Sequence, residues 1–141
     1  MSLVQTFPPG VQTVILLIED DDSIRSAIRE VLQIKGYSIL EVIDVVSALE
    51  ELGDGNAEFV IADYDNNQWI DPKQAIQMMC VAAPTVNFIV LTGKDDDLIE
   101  LKKVEQIEVI SKPFQPEDLL DMISVKLCAE ERQTEGEAQG N

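Results

Sequence analysis

Histidine is missing from this chain altogether. Its absence excludes Ser/His/Asp and Cys/His catalysis, metal ligation by imidazole, and any phosphohistidine of the chain's own. Whatever chemistry exists has to rest on carboxylates, lysine and hydroxyls. Cysteine is scarce: Cys80 and Cys128 stand far apart without a CxxC pair, and read as core thiols in a reducing, cytoplasmic setting rather than as a disulfide framework. Basic residues are also few, 10 against 27 acids for a formal charge of −17. A surface of that sign repels phosphate backbones and anionic lipid, which argues against direct nucleic-acid binding. Long apolar runs are lacking too. Val14 to Ile18 and Phe88 to Leu91 are strand-sized, far below the roughly 20 residues that span a bilayer, and the N-terminus lacks a charged-then-apolar signal layout. No membrane insertion is expected.

The 141 residues, 45% of them hydrophobic, suffice for one domain with a sizeable core. Thr13 to Ile18 is a continuous β-branched-rich run, the pattern of a central parallel strand covered on both faces, and it stops at the acids Glu19 to Asp22. Ile24, Ala27, Ile28, Val31 and Leu32 then recur at helical spacing, with Asp21 or Asp22 as cap and Gly36 as terminator. Strands are expected at Tyr37 to Val42, Phe59 to Ala62, Asn87 to Leu91 and Ile107 to Ile110. Helices are expected at Val45 to Leu52, from Asp71-Pro72 to Ala83, more weakly from Asp95 to about Lys103, and from Pro116 to about Glu131. Five strand-then-helix units with apolar strands specify a parallel sheet between helices, because parallel neighbours need crossovers. Residues 1–12 read as a flexible segment, 13–131 as the domain and 132–141 as a disordered polar tail.

In such sheets ligands bind beyond the carboxyl ends of the strands, near the point where strand order reverses. The first strand ends at Glu19-Asp20, the third at Asp63, the fourth at Thr92 and the fifth at Lys112. Carboxylates gathered there repel one another, and a hard divalent cation such as Mg²⁺ would relieve the repulsion. A neighbouring lysine and threonine hydroxyl could hold phosphoryl oxygens, completing a site for in-line phosphoryl transfer.

At these residues the chain resembles the receiver family of two-component signalling, from Thr13 to about Leu127. Ile15 to Arg25 resembles the family's first strand, acidic pair and first helix, with Arg25 fixing the register. Phe59-Val60-Ile61-Ala62-Asp63 resembles the strand leading to the phospho-acceptor, Val90-Leu91-Thr92-Gly93 the switch-hydroxyl motif, and Ser111-Lys112-Pro113-Phe114 the lysine motif with its cis bond before proline. The resemblance implies a (βα)5 flavodoxin-like fold of strand order 2-1-3-4-5. Asp63 would be nucleophile and metal ligand, Thr92 and Lys112 catalytic partners. Glu19, Asp20 and the Asp65 backbone carbonyl would complete the set for Mg²⁺, with Mn²⁺ as alternative. The phosphoryl donor would be a phosphohistidine of a sensor kinase or phosphotransfer domain. The chain would then be a switch that catalyses its own phosphorylation and dephosphorylation rather than a turnover enzyme. Its output face would lie on the segment from Asp95, the fifth strand and the last helix, presented to an output protein or a fused domain. The polar end fits either a stand-alone regulator or a receiver excised from a hybrid kinase or larger regulator.

Two departures stand out. Tyr64 to Asp71 lacks the family's Met-Pro and Asp-Gly pairs, and Val109 replaces the aromatic three positions before the lysine. They suggest a rival, a receiver-like interaction module that works without phosphorylation. Asp63-Tyr64-Asp65 also suggests a haloacid-dehalogenase-like phosphohydrolase, but the following threonine and a downstream acidic pair are missing. Asp95 to Asp97 are read as acids favouring a helix N-terminus, and Asp65 and Lys94 as neighbours able to influence phosphoryl lifetime. Trp69 is read as an ordinary half-packed aromatic.

Overall fold

The computed structural model describes residues 13–65, 71–93, 99 and 101–126. Five parallel strands alternate with helices in the order β1 (Val14–Ile18), α1 (Asp22–Ile34), β2 (Ser38–Val42), α2 (Val45–Gly53), β3 (Phe59–Asp63), α3 (Pro72–Ala82), β4 (Asn87–Thr92) and β5 (Ile107–Ser111). A last helix, α4, covers residues 116–126. The sheet order is β2-β1-β3-β4-β5, the flavodoxin-like order expected from the sequence. The chain steps from β1 to one side and then returns to place β3 on the other, so order reverses between β1 and β3.

Why the strands are apolar throughout is visible in the two cores. Leu16, Ile18, Val60, Ala62, Phe88 and Val90 face Ala48 and Leu52 of α2 and Ala75, Ile76 and Met79 of α3. The alternate residues Ile15, Leu17, Phe59, Ile61, Ile89 and Leu91 face Ile28 and Leu32 of α1 and Leu119 and Ile123 of α4. A strand covered on both faces has no position left for a polar side chain until it ends. Cys80 lies in the first core, where burial pushes its thiol up to about 11, as suits an inert packing residue. Cys128 lies outside the described residues.

The caps follow the sequence signals. Asp21, Asp44 and Asp71 accept from the N–H groups of Ile24, Ser47 and Gln74 at 3.0, 2.7 and 3.1 Å, and Pro72 occupies the first turn of α3. Gly36, at φ 94°, carries the chain out of α1 through a left-handed turn that a side chain would strain. Of the weaker helix expected from Asp95, only Leu101–Lys103 is described as an element, a 3-10 turn. Asp95 to Asp97, Lys94, Trp69 and the terminal segments 1–12 and 132–141 lie outside the described residues.

Leu17 is fully buried at the centre of the sheet. Leu17→Ala is expected to lower unfolding free energy by about 2–5 kcal/mol, through lost transfer energy and the remaining cavity, read from urea midpoints at unchanged slope. The Asp44 cap gives a pH-dependent counterpart. The Ser47 N–H, and then the Ser47 hydroxyl, hold the Asp44 carboxyl below its ordinary value. A depressed native pKa contributes stability above the unfolded-state pKa and loses it as pH falls through the native one. Asp44→Ala should therefore cost about 1 kcal/mol at neutral pH, and that difference should shrink as pH falls below the ordinary aspartate value and through the lower native one, checked by paired denaturation curves at neutral and successively more acid pH.

Candidate functional site

Strand register delivers the polar residues to one edge. Ile18 lies beside Ala62, Asp63 beside Leu91, and Thr92 beside Ser111. The residues next in line, Glu19 after β1 and Lys112 after β5, therefore meet Asp63 and Thr92 at the reversal point. Backbone bonds prolong the ladder beyond the strands, from Tyr64 N–H to the Leu91 carbonyl and from Lys112 N–H to the Thr92 carbonyl, both at 2.8 Å.

Three carboxylates, those of Glu19, Asp20 and Asp63, lie with oxygens within 4.8 Å of one another. Glu19 and Asp63 are buried, at 1% and 4% exposure. The Asp21 N–H donates to Glu19 Oε2 at 3.1 Å, whereas Oε1 is buried without a hydrogen-bond partner. Arg25 holds this turn in place: its Nη1 donates to the Glu19 carbonyl at 3.0 Å, and its Nε pairs with Glu41 on β2 at 3.1 Å. Burial pushes the Glu19 carboxyl up to about 8; the Asp21 N–H opposes this and the charge on Asp63 adds to it. A buried acceptor with no donor, in a cluster of oxygen ligands, is the donor set that a hard divalent cation requires.

On the other side of Asp63 stands Lys112. Its Nζ is 2.7 Å from Asp63 Oδ1 and 3.4 Å from Asp65 Oδ2. Burial alone would lower the lysine pKa, but the bond and charge of Asp63, and then of Asp65, outweigh it and raise the value. The ammonium therefore stays charged through the neutral range. The Lys112–Pro113 peptide is cis, as the resemblance implied.

The structure brings together every side chain that the sequence assigned to the site: Glu19, Asp20, Asp63, Thr92 and Lys112. It adds the contacts of one that the sequence placed at the site through its backbone carbonyl and as a neighbour able to influence phosphoryl lifetime. The Asp65 carboxylate takes a bond from Gly93 N–H at 3.0 Å and one from the Thr92 hydroxyl at 3.4 Å, besides its contact with Lys112. Its own N–H donates to Asp63 Oδ1 at 3.0 Å. Arg25 was expected only to mark the register, and its grip on the Glu19 carbonyl depends on a helix-to-loop approach that spacing does not display. Val109 pairs with Val90 in the sheet and lines a cavity of about 390 Å³ with Lys102, Val104 and Glu108.

These features agree with what the chain is similar to. The family model described as the response regulator receiver domain matches residues 15–124. The response regulator protein FleR of Pseudomonas aeruginosa is 27% identical over 112 residues, 78% of this chain and 24% of that protein. The sensor kinase CckA of Brucella abortus is 28% identical over 118 residues, covering 80% of this chain and 12% of the kinase. The chain thus spans about a quarter or less of these relatives. Among solved structures, a CheY-like response regulator receiver domain protein from Methanospirillum hungatei superposes with a TM-score of 0.75 at 21% identity, over 87% of this chain and 99% of that one, a likeness of fold. With the matching strand order and an acidic cluster at the strand ends, the chain belongs to the response regulator receiver domain family of phosphorelay signalling.

Proposed function

We propose that Asp63 is the phospho-acceptor of this receiver, loaded from a phosphohistidine on a sensor kinase or histidine phosphotransfer domain. The observation that carries this reading is the Asp63 carboxylate set between the Lys112 ammonium at 2.7 Å and the acidic cluster with Glu19 and Asp20. One of its oxygens is tied to Lys112 and to the Asp65 N–H, which fixes the carboxylate plane before a donor arrives. Attack forms an oxygen–phosphorus bond as the donor's phosphorus–nitrogen bond breaks, and Lys112 stays cationic to offset charge on the moving phosphoryl. Thr92, fully buried at the strand end, supplies a hydroxyl to a phosphoryl oxygen.

Glu19, Asp20, Asp63 and the backbone carbonyl of Asp65 would hold Mg²⁺, with Mn²⁺ as an alternative. When bound, the ion supplies charge neutralisation at the transferred group. Residues 13–131 form the receiver unit, and the segment from Asp95, β5 and the last helix present the output face to a partner or fused domain. Among the described residues no helix is long and apolar enough to cross a membrane. The phosphohydrolase alternative finds no support in the comparisons.

Intact mass after incubation with acetyl phosphate tests the assignment. A gain of one phosphoryl group that requires Mg²⁺ and disappears in Asp63→Asn is expected. Mg²⁺ binding without any gain would favour a phosphorylation-independent interaction module. Linkage gives a second check: a ligand that binds only the folded chain raises stability by about 2.7 kcal/mol at about 100 times its Kd. Mg²⁺ should raise the melting temperature of the chain, and Glu19→Ala should abolish most of that rise; an equal rise in both proteins would place the ion elsewhere.

A further inference from the structure

The Asp65 side chain serves no step of that mechanism, yet three donors of the site reach it. Its two carboxylate oxygens take the Thr92 hydroxyl, the Gly93 N–H and the edge of the Lys112 ammonium, while its own backbone N–H is anchored on Asp63 Oδ1. A hydroxyl, a backbone N–H and a cation converging beside a carboxylate nucleophile make an anion pocket. In the unmodified chain its occupant is a carboxylate from two residues along.

We propose that Asp65 is an internal stand-in for the phosphoryl group, filling the phosphoryl pocket until Asp63 is modified. The inference rests on the reading of Asp63 as acceptor. A phosphoryl on Asp63 carries oxygens that need the same donors, and it cannot share them with a second anion at contact distance. Asp65 therefore has to swing out as the phosphoryl enters. With its side chain 29% exposed, it has solvent to move into, unlike the buried Glu19, Asp63 and Thr92. The exchange needs no proton: with acetyl phosphate the Asp63 oxygen–phosphorus bond forms, the donor phosphorus–oxygen bond breaks, acetate leaves with the bonding pair, and Asp65 moves as a carboxylate. Two consequences follow. Loading is slowed by the competition, and the Thr92 hydroxyl is already engaged toward the site before any phosphoryl is present, so part of the switch is preset.

The test compares the full chain with Asp65→Ala, in Mg²⁺ with acetyl phosphate as donor, by intact mass against time and by the backbone amide spectrum. Removing the carboxylate should speed uptake about tenfold, the factor that corresponds to about 1.4 kcal/mol of competition. The Gly93 amide proton should move upfield in the unmodified variant, having lost its carboxylate acceptor. It should return downfield when Asp63 is phosphorylated, whereas in the parent chain phosphorylation should change it little. That pattern is local to Gly93, which a mere change of net charge would not produce. Uptake by both proteins at equal rates, or a Gly93 amide indifferent to the substitution, would overturn the stand-in and leave Asp63 as acceptor. Uptake by neither would overturn the acceptor and the competition together.

Discussion

A parallel sheet sends the carboxyl end of every strand to the same edge, and in this chain the edge receives more negative charge than its side chains can neutralise. Glu19, Asp20, Asp63 and Asp65 gather there, and among the described residues Lys112 is the cation in contact with two of them. Two unit charges about 4 Å apart interact by about 4 kcal/mol at an effective dielectric of about 20, a large share of the roughly 5–15 kcal/mol that keeps a domain folded. The carboxyl of Glu19, the most buried of these acids, is pushed up to about 8. A proton there is a substitute for a cation. On the proposed function, affinity for a divalent ion, attraction of a phosphoryl group only once that ion and Lys112 are present, and the retention of a second anion on the remaining donors would all follow from the same imbalance.

Much of this was legible before any coordinates. The uninterrupted apolar character of Ile15 to Ile18 and Phe59 to Ala62 announces strands with two covered faces, and the end of each run marks where a polar side chain first becomes affordable. The caps were equally readable: Asp71-Pro72 names its own helix, because an acceptor followed by a residue without an N–H suits only a first turn. Strand ends ran one residue beyond expectation at Thr92 and Ser111, since ladder bonds continue past the last apolar residue. The contacts of Asp65 were not legible. They depend on the pairing of Asp63 with Leu91 and on the turn after β3, which together bring a side chain two residues past one strand end onto the N–H beyond another. Nor was the work of Arg25, whose reach to the Glu19 carbonyl and Glu41 requires the approach of α1 to β2.

The same register explains what changes at Val109. Facing Val90 across the β4–β5 ladder, it fills less space than an aromatic side chain would, and it lines an open cavity on the edge of the sheet. A branched side chain with one dominant rotamer cannot swing between two orientations as a ring can. On the proposed function, rotation of a ring at this position is not available to carry a signal from Thr92 to the outer face of β5.

That places weight on the groups able to move. Glu19, Asp63 and Thr92 are buried at strand ends, with little solvent to move into. Lys112 and Asp65, at 24% and 29% exposure, are part-exposed charged side chains of the site that contact each other. On the proposed reading, a new anion on Asp63 would offer Lys112 a second partner and deprive Asp65 of its donors at once. Asp65 follows the end of β3 and the Gly93 that it binds follows the end of β4, so on the proposed reading a single exchange of acceptors would act at two strand ends. On the proposed reading, the change of state would be carried by which carboxylate or phosphoryl oxygen Lys112, Thr92 and Gly93 hold.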